Sequence, residues 1–197
     1  IEIPKSCPVC GGDTEIRKLK DGKALYCTNP NCHAQRVKSL AHFVSRDAMN
    51  IEGLSEETIK KFVDNNFIDS YPDIFELYKF EEQIKSLEGF GEKSYSNIIS
   101  SIEKSKNVGM ANFIYALGIN NVGLSNAKLL CRNFNNDLEK IISAGEEELS
   151  AVDGFGPVIA HSVSRYFSNG ENLGLLKKAL GFIVFKKEDM PEESGGL

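Results

Sequence analysis

The sequence predicts a mainly α-helical protein with a small cysteine-held unit at its N-terminal end. Three observations carry that expectation. Four of the five cysteines fall within the first 32 residues, and strand-like alternation is scarce beyond residue 40. One skeleton, an apolar residue, any residue, Gly, an apolar residue, then Gly or Ser, returns four times, each copy ahead of apolar residues at helical spacing.

The cysteines come first. Cys7 and Cys10 in "CPVC" and Cys27 and Cys32 in "CTNPNC" form the pattern C-x2-C-x16-C-x4-C. Two close pairs joined by a loop can converge tetrahedrally on Zn²⁺, and four thiolates close the coordination sphere, so the site is structural rather than catalytic. A pair of disulfides is the alternative, which a cytosolic setting disfavours. His33 follows Cys32 and is a weaker candidate ligand. Between the pairs, "EIRKLKDGKALYC" alternates enough for a hairpin turning at Asp21-Gly22, with Arg17, Lys18, Lys20 and Lys23 around it. Those cations make either a solvated face or a phosphate contact. Cys131 shares a helical face with Ala127, Leu130 and Phe134 and reads as a buried apolar residue.

The four repeats follow as Gly53-Leu54-Ser55, Gly89-Phe90-Gly91, Gly123-Leu124-Ser125 and Gly154-Phe155-Gly156. Their leading glycines are 36, 34 and 31 residues apart, the third copy being shortened at its start. The stripes behind them are Ile59, Phe62 and Val63; Tyr95, Ile98, Ile99 and Ile102; Ala127, Leu130, Cys131 and Phe134; and Ile159, Val163, Tyr166 and Phe167. Each copy is preceded by a shorter apolar-periodic segment, such as Leu40, Phe43 and Val44. The unit is therefore helix, tight glycine hairpin, helix.

The first glycine supplies a positive φ between the helices. The second leaves no side chain where the next helix begins and its amide N–H groups point outward. Those amides and the positive end of the helix dipole form an anion site for a phosphate backbone, read without regard to base sequence. The apolar residue between the glycines turns inward as an anchor. Lys93 and Lys128 stand near two of the helix starts as further candidate contacts. Ser55 and Ser125 replace the second glycine in copies one and three, which predicts weaker or purely architectural hairpins there. A packing unit with glycine caps is the bland alternative.

The formal charge of −5 argues against a broad basic surface that would hold nucleic acid by charge alone. The acids are partly segregated, however, in "GEEELS" (145–150) and "KEDMPEES" (187–194), and leave other faces more basic than the net charge. No apolar run approaches the roughly 20 residues of a membrane span, and no secretory signal is present, so a soluble cytoplasmic protein is expected. The chain does not begin with Met and ends "MPEESGGL", which predicts a piece excised from a longer protein. "GFGEKS" fails as a phosphate-binding loop because Glu92 precedes Lys93, and "KLKDG" places its lysines at the wrong offsets from Asp21 for a nucleotidyl-transferase nucleophile. His33, His42 and His161 have no catalytic partners at recognisable spacing.

Together, "IPKSCPVCGG", "YCTNPNCHAQ" and four ordered helix-hairpin-helix repeats closely resemble the C-terminal half of bacterial NAD-dependent DNA ligases. The resemblance covers roughly residues 1–185. It implies a four-cysteine zinc finger (1–38), a helix-hairpin-helix DNA-binding domain with four motifs (39–183) and a linker or tail (184–197). It also implies zinc ligation by Cys7, Cys10, Cys27 and Cys32, and DNA-backbone contact by the four hairpins. The partners so implied are nicked duplex DNA and the other domains of the ligase chain, which acts in replication and repair. NAD⁺ and Mg²⁺ belong by that resemblance to the parent enzyme, and this fragment is expected to lack the adenylation site. A protein-interaction scaffold, or part of another DNA-repair protein, is the alternative.

Overall fold

The computed structural model describes residues 2–187. Most of the acidic stretch at 187–194 therefore lies outside the described residues. No helix among those described is long and apolar enough to cross a membrane.

The cysteine unit is built on a two-stranded antiparallel hairpin, β1 (Thr14–Leu19) and β2 (Gly22–Cys27). Leu19 pairs with Gly22, so the turn residues are Lys20 and Asp21, one position earlier than the Asp21-Gly22 turn the sequence suggested. Gly22, at φ +152°, opens the second strand. From residue 2 to residue 36 only Cys7 and Cys32 are buried. A segment with no apolar core of its own needs another source of cohesion, and a metal bound by its converging thiols would supply it.

Cys32 is the N-cap of α1 (His33–Val44), so the unit runs straight into the helical domain. The helix crosses the boundary drawn at residues 38 and 39 without interruption. Two polar contacts brace the junction, His33 Nε2 to Asp64 Oδ1 at 3.0 Å and the ion pair of Arg36 with Asp69 at 2.9 Å. His33 thus faces a carboxylate and not the thiols.

The helical domain continues with α2 (Glu56–Asp64), a 3-10 segment (Tyr71–Phe80), α3 (Glu81–Lys85), α4 (Glu92–Ser105), β3 (Asn107–Val108), α5 (Met110–Ala116), α6 (Leu124–Asn133), α7 (Leu138–Ser143), α8 (Glu146–Ser150), α9 (Pro157–Ser168), α10 (Gly170–Leu180) and β4 (Val184–Phe185). The packed pairs are α1 with α2, α3 with α4, α5 with α6, and α8 with α9. Each pair is a helix, tight turn, helix unit, numbered motifs one to four in chain order.

One contiguous core runs through all four motifs, from Val37 to Ile183. Its inward residues repeat in phase: counted from each N-cap, the fourth residue is Ile59, Tyr95, Ala127 and Ala160, and the seventh is Phe62, Ile98, Leu130 and Val163, every one buried. Cys131 is buried as expected. Motifs one and three are joined through α1 and α5, where the His42 ring meets Tyr115 edge-on and its Nε2 lies 2.7 Å from the Tyr115 carbonyl oxygen.

The chain does not leave the domain at residue 184. β4 pairs in parallel with β3, the amides of Val184 and Lys186 donating to the carbonyls of Lys106 and Val108 at 2.8 Å each. Phe182 stacks on Phe75 and Phe185 packs on Phe113. Val184 and Phe185 therefore form a closing strand, where the sequence suggested a linker from residue 184 onward.

Candidate metal centre and nucleic-acid interface

The four thiol sulfurs of Cys7, Cys10, Cys27 and Cys32 all lie within 4.8 Å of one another. The closest contacts cross between the two pairs, Cys7 to Cys32 at 3.9 Å and Cys10 to Cys27 at 3.5 Å. A tetrahedral Zn²⁺ with Zn–S bonds of about 2.3 Å places sulfurs roughly 3.8 Å apart. Disulfide bonding would need about 2.05 Å, so the donor set fits zinc and not a bridge.

The backbone is wrapped to suit. Gly11 turns at φ +72° and donates to the Cys7 carbonyl, the Cys7 amide returns to the Gly12 carbonyl at 2.7 Å, and the Gly12 amide points at Cys10 Sγ at 3.4 Å. Gly12 has no room for a side chain, since an added Cβ would sit 2.9 Å from the Asn29 Cβ. The Asn29 side chain and the Gly12 amide hold the Cys10 thiol down at about 6, whereas desolvation pushes Cys27 up to about 12. Crowded thiols resist shedding every proton together, and a divalent cation at their centre would compensate all four as thiolates.

On the hairpin, Lys18 sits directly across from Lys23, with Lys20 in the turn. Arg17 lies over the Tyr26 ring at 4.8 Å and pairs with Glu15. Opposed like charges cost stability unless an anion lies near them.

The helix starts separate into two kinds. In motifs two to four the N-cap is a glycine, Gly91, Gly123 or Gly156, and no side chain caps the first-turn amides. In motif one Ser55 is the N-cap, its hydroxyl accepts from the Thr58 amide at 3.2 Å, and Glu56 and Glu57 follow. That start is satisfied internally and carries two acids in its first turn, against one, Glu92, in motif two and none in motifs three and four.

This corrects the sequence phase of the third repeat. Gly123 has φ −83° and caps α6, so it matches Gly91 and Gly156 and not Gly53, Gly89 and Gly154. The positive φ of that hairpin belongs to Asn121, at +65°, and the buried anchor is Val122. Ser125 is the second residue of α6, inside the helix. The in-phase spacing of the N-caps is 36, 32 and 33 residues, from Ser55 to Gly91, Gly123 and Gly156. Asparagine tolerates positive φ better than other residues with a side chain, which makes "INNVG" an equivalent of "LEGFG". The Asn-Asn pair was the signal in the sequence. The turn amides agree: Phe90, Val122 and Phe155 donate to Leu87, Ile119 and Val152 at 3.0 to 3.1 Å.

The two glycines of a hairpin have different reasons to be there. Gly53, Gly89 and Gly154 hold φ near +85 to +88°, which the fold demands. Gly91, Gly123 and Gly156 have negative φ, and a Cβ at each would meet nothing within 4 Å. Serine or aspartate would fit and would cap the helix better. The protein's own packing does not require these three glycines, whereas a partner surface approaching the amides closely would. Phe155 is buried as an anchor, and Phe90 is half-buried against Phe62 at 5.7 Å between ring centroids.

Lys93 lies in the first turn of α4, and Lys128 lies one turn further into α6. Both are exposed, and neither makes an ion pair among the described residues. His161 lies on the surface with its Nδ1 3.2 Å from Glu146 Oε2.

Comparison with known proteins agrees with this geometry. Residues 6–34 match the NAD-dependent DNA ligase C4 zinc finger domain, and residues 112–176 match a helix-hairpin-helix motif. The chain is 50% identical over 196 residues to a DNA ligase of Lachnoclostridium phytofermentans, covering 100% of this chain and 30% of that protein. It is 45% identical over 190 residues to a DNA ligase of Ruminiclostridium cellulolyticum, with 96% of this chain and 29% of that protein aligned. With a DNA ligase of Thermomicrobium roseum the identity is 42% over 178 residues, 90% of this chain and 25% of the relative. The chain thus spans less than a third of the length of these relatives.

Proposed function

We propose that this chain, a relative of the DNA ligases that carries their C4 zinc finger, is the part of an NAD-dependent ligase that grips duplex DNA while the rest of the enzyme seals a nick. One observation carries the reading: three helix starts present open amides behind glycines that the fold itself does not need. Such starts bind phosphate oxygens through backbone N–H groups and the helix dipole, so little net positive charge is required and the acidic composition is no obstacle. Contacts of this kind position a duplex without reading its sequence.

In this reading Gly91, Gly123 and Gly156, with Lys93 and Lys128 beside two of them, take the phosphates. Gly53, Gly89 and Gly154 shape the turns, and Ser55 and Ser125 serve the helices alone. The zinc held by Cys7, Cys10, Cys27 and Cys32 is structural, because four thiolates leave no coordination position for substrate. It fixes the β1–β2 hairpin, with Lys18, Lys20 and Lys23, at the N-terminus of α1. NAD⁺ and Mg²⁺ act in the remainder of the parent enzyme, in the cytoplasm of a bacterium, during replication and repair.

The direct experiment is a fluorescence-anisotropy titration with a nicked and an intact duplex at two salt concentrations. Binding that ignores sequence and weakens steeply with salt is expected. Salt-independent binding, or none, would remove the phosphate mechanism.

A further inference from the structure

A groove outside the hairpin amides has the character of a second phosphate-binding surface. It encloses about 770 Å³ between the first hairpin, α4 and the β3–β4 junction. Arg46, Lys104 and Lys186 line it, all exposed and none ion-paired among the described residues. Five other lysines of the domain, Lys61, Lys79, Lys85, Lys106 and Lys140, each sit beside a nearby acid on their own segment, whereas the groove cations share their unpaired state with Lys93 and Lys128 at the helix starts. The one acid on the groove is Glu52, whose backbone amide is held by Ser101 Oγ at 2.7 Å. Three cations against one carboxylate leave this groove net positive in a chain of net charge −5.

The groove is also continuous with the second hairpin. Lys93, Asn97, Ser100 and Lys104 recur at helical spacing along one exposed face of α4, and no acid falls in that row. The row starts beside Gly91 and ends in the groove, about 16 Å further along the helix at 1.5 Å per residue. That distance matches the rise of roughly five base pairs. The walls contain serine and asparagine side chains but no aromatic ring on which a base could stack. A free nucleotide would leave its base unsupported, whereas a sugar-phosphate backbone needs only cations and hydrogen-bond donors.

We infer that this groove takes a phosphodiester segment of the same DNA whose backbone is seated on the Gly91 amides. The inference rests on the proposed DNA-gripping function and extends it to a surface that the hairpin geometry alone would not identify.

The test is duplex binding as a function of salt for three forms of the full chain: unmodified, R46Q/K104Q/K186Q, and G91D/G156D. The three glutamines replace exposed, unpaired cations, and an unchanged circular dichroism spectrum checks that the fold is kept. Neutralising three phosphate contacts should lower the slope of log K against log salt by roughly 2 to 3 and weaken binding by about tenfold or more at low salt. An unchanged slope and affinity in the triple glutamine protein, with binding lost in G91D/G156D, would overturn the groove while leaving the hairpins standing. Binding kept in G91D/G156D but weakened by the glutamines would support the groove and remove the hairpin reading. Titration with AMP supplies the remaining arm. Saturable AMP binding that the glutamines abolish, with an unchanged DNA salt slope, would assign the groove to a soluble nucleotide and overturn the proposal.

Discussion

Motif one and motif four have the same backbone and opposite helix starts. Both turn through a glycine at φ +88°, both bury an apolar anchor, Leu54 or Phe155, and both bury the fourth and seventh residues beyond the N-cap. They part at one position. Ser55 closes its helix with a hydroxyl and two glutamates, while Gly156 leaves the amides of α9 open, with Pro157 as the first helical residue. The shared features are what packing requires, and in the proposed reading the difference is what a phosphate ligand requires. In a repeat protein this separation is available within one chain, because three motifs depart together from the best helix cap and one does not.

The largest expected effect lies outside the hairpins and calibrates the comparison. Removing Zn²⁺ with a chelator takes away the cohesion of a segment that buries only two residues before Arg36, so residues 2–36 should unfold while the helical core from Val37 to Ile183 survives. Backbone amide exchange read by NMR would show the loss confined to that segment; loss of protection across α4 to α9 would mean the domain depends on the metal.

Next in size is the simultaneous change of Gly91, Gly123 and Gly156 to Asp. Each puts a carboxylate where a phosphate is expected and removes charge-assisted hydrogen bonds worth about 1.5 to 3 kcal/mol apiece in favourable cases, so the affinity for duplex should fall by two orders of magnitude or more. The same change should not lower the melting temperature, because Asp is a better N-cap than Gly. A matching loss of stability would show that these glycines serve packing after all.

The smallest effect comes from the other side of the comparison. Ser55→Ala removes the bond to the Thr58 amide and should cost about 1 kcal/mol of stability, seen in chemical denaturation. Its DNA affinity should stay within twofold of the parent. A large loss of binding would bring motif one back among the DNA contacts.

Much of this architecture was legible in the residues. The cysteine spacing specified the metal set, and helical periodicity located the inward faces, down to the burial of Cys131. The third hairpin was not legible in its phase, because Gly123-Leu124-Ser125 imitates Gly53-Leu54-Ser55 in letters while Asn121 performs the turn. Letters cannot separate a glycine kept for its φ from one kept for empty space, and the dihedral angles do. The closing strand at Val184 was hidden for a different reason. Two residues of pairing leave no alternation to detect, and their partner, Asn107–Val108, is more than 70 positions away. The cationic groove was hidden likewise, since Arg46, Lys104 and Lys186 meet only in the folded chain.

The measurement that tests the central claim most directly is the duplex affinity of the Gly123→Asp protein set beside that of Ser125→Ala. Gly123 is the N-cap that the structure aligns with Gly91 and Gly156, while Ser125 lies inside α6. The account predicts a loss of about tenfold or more for Gly123→Asp, with no fall in melting temperature, and a change below about twofold for Ser125→Ala. Undiminished binding by Gly123→Asp would contradict the claim that open helix starts hold the DNA.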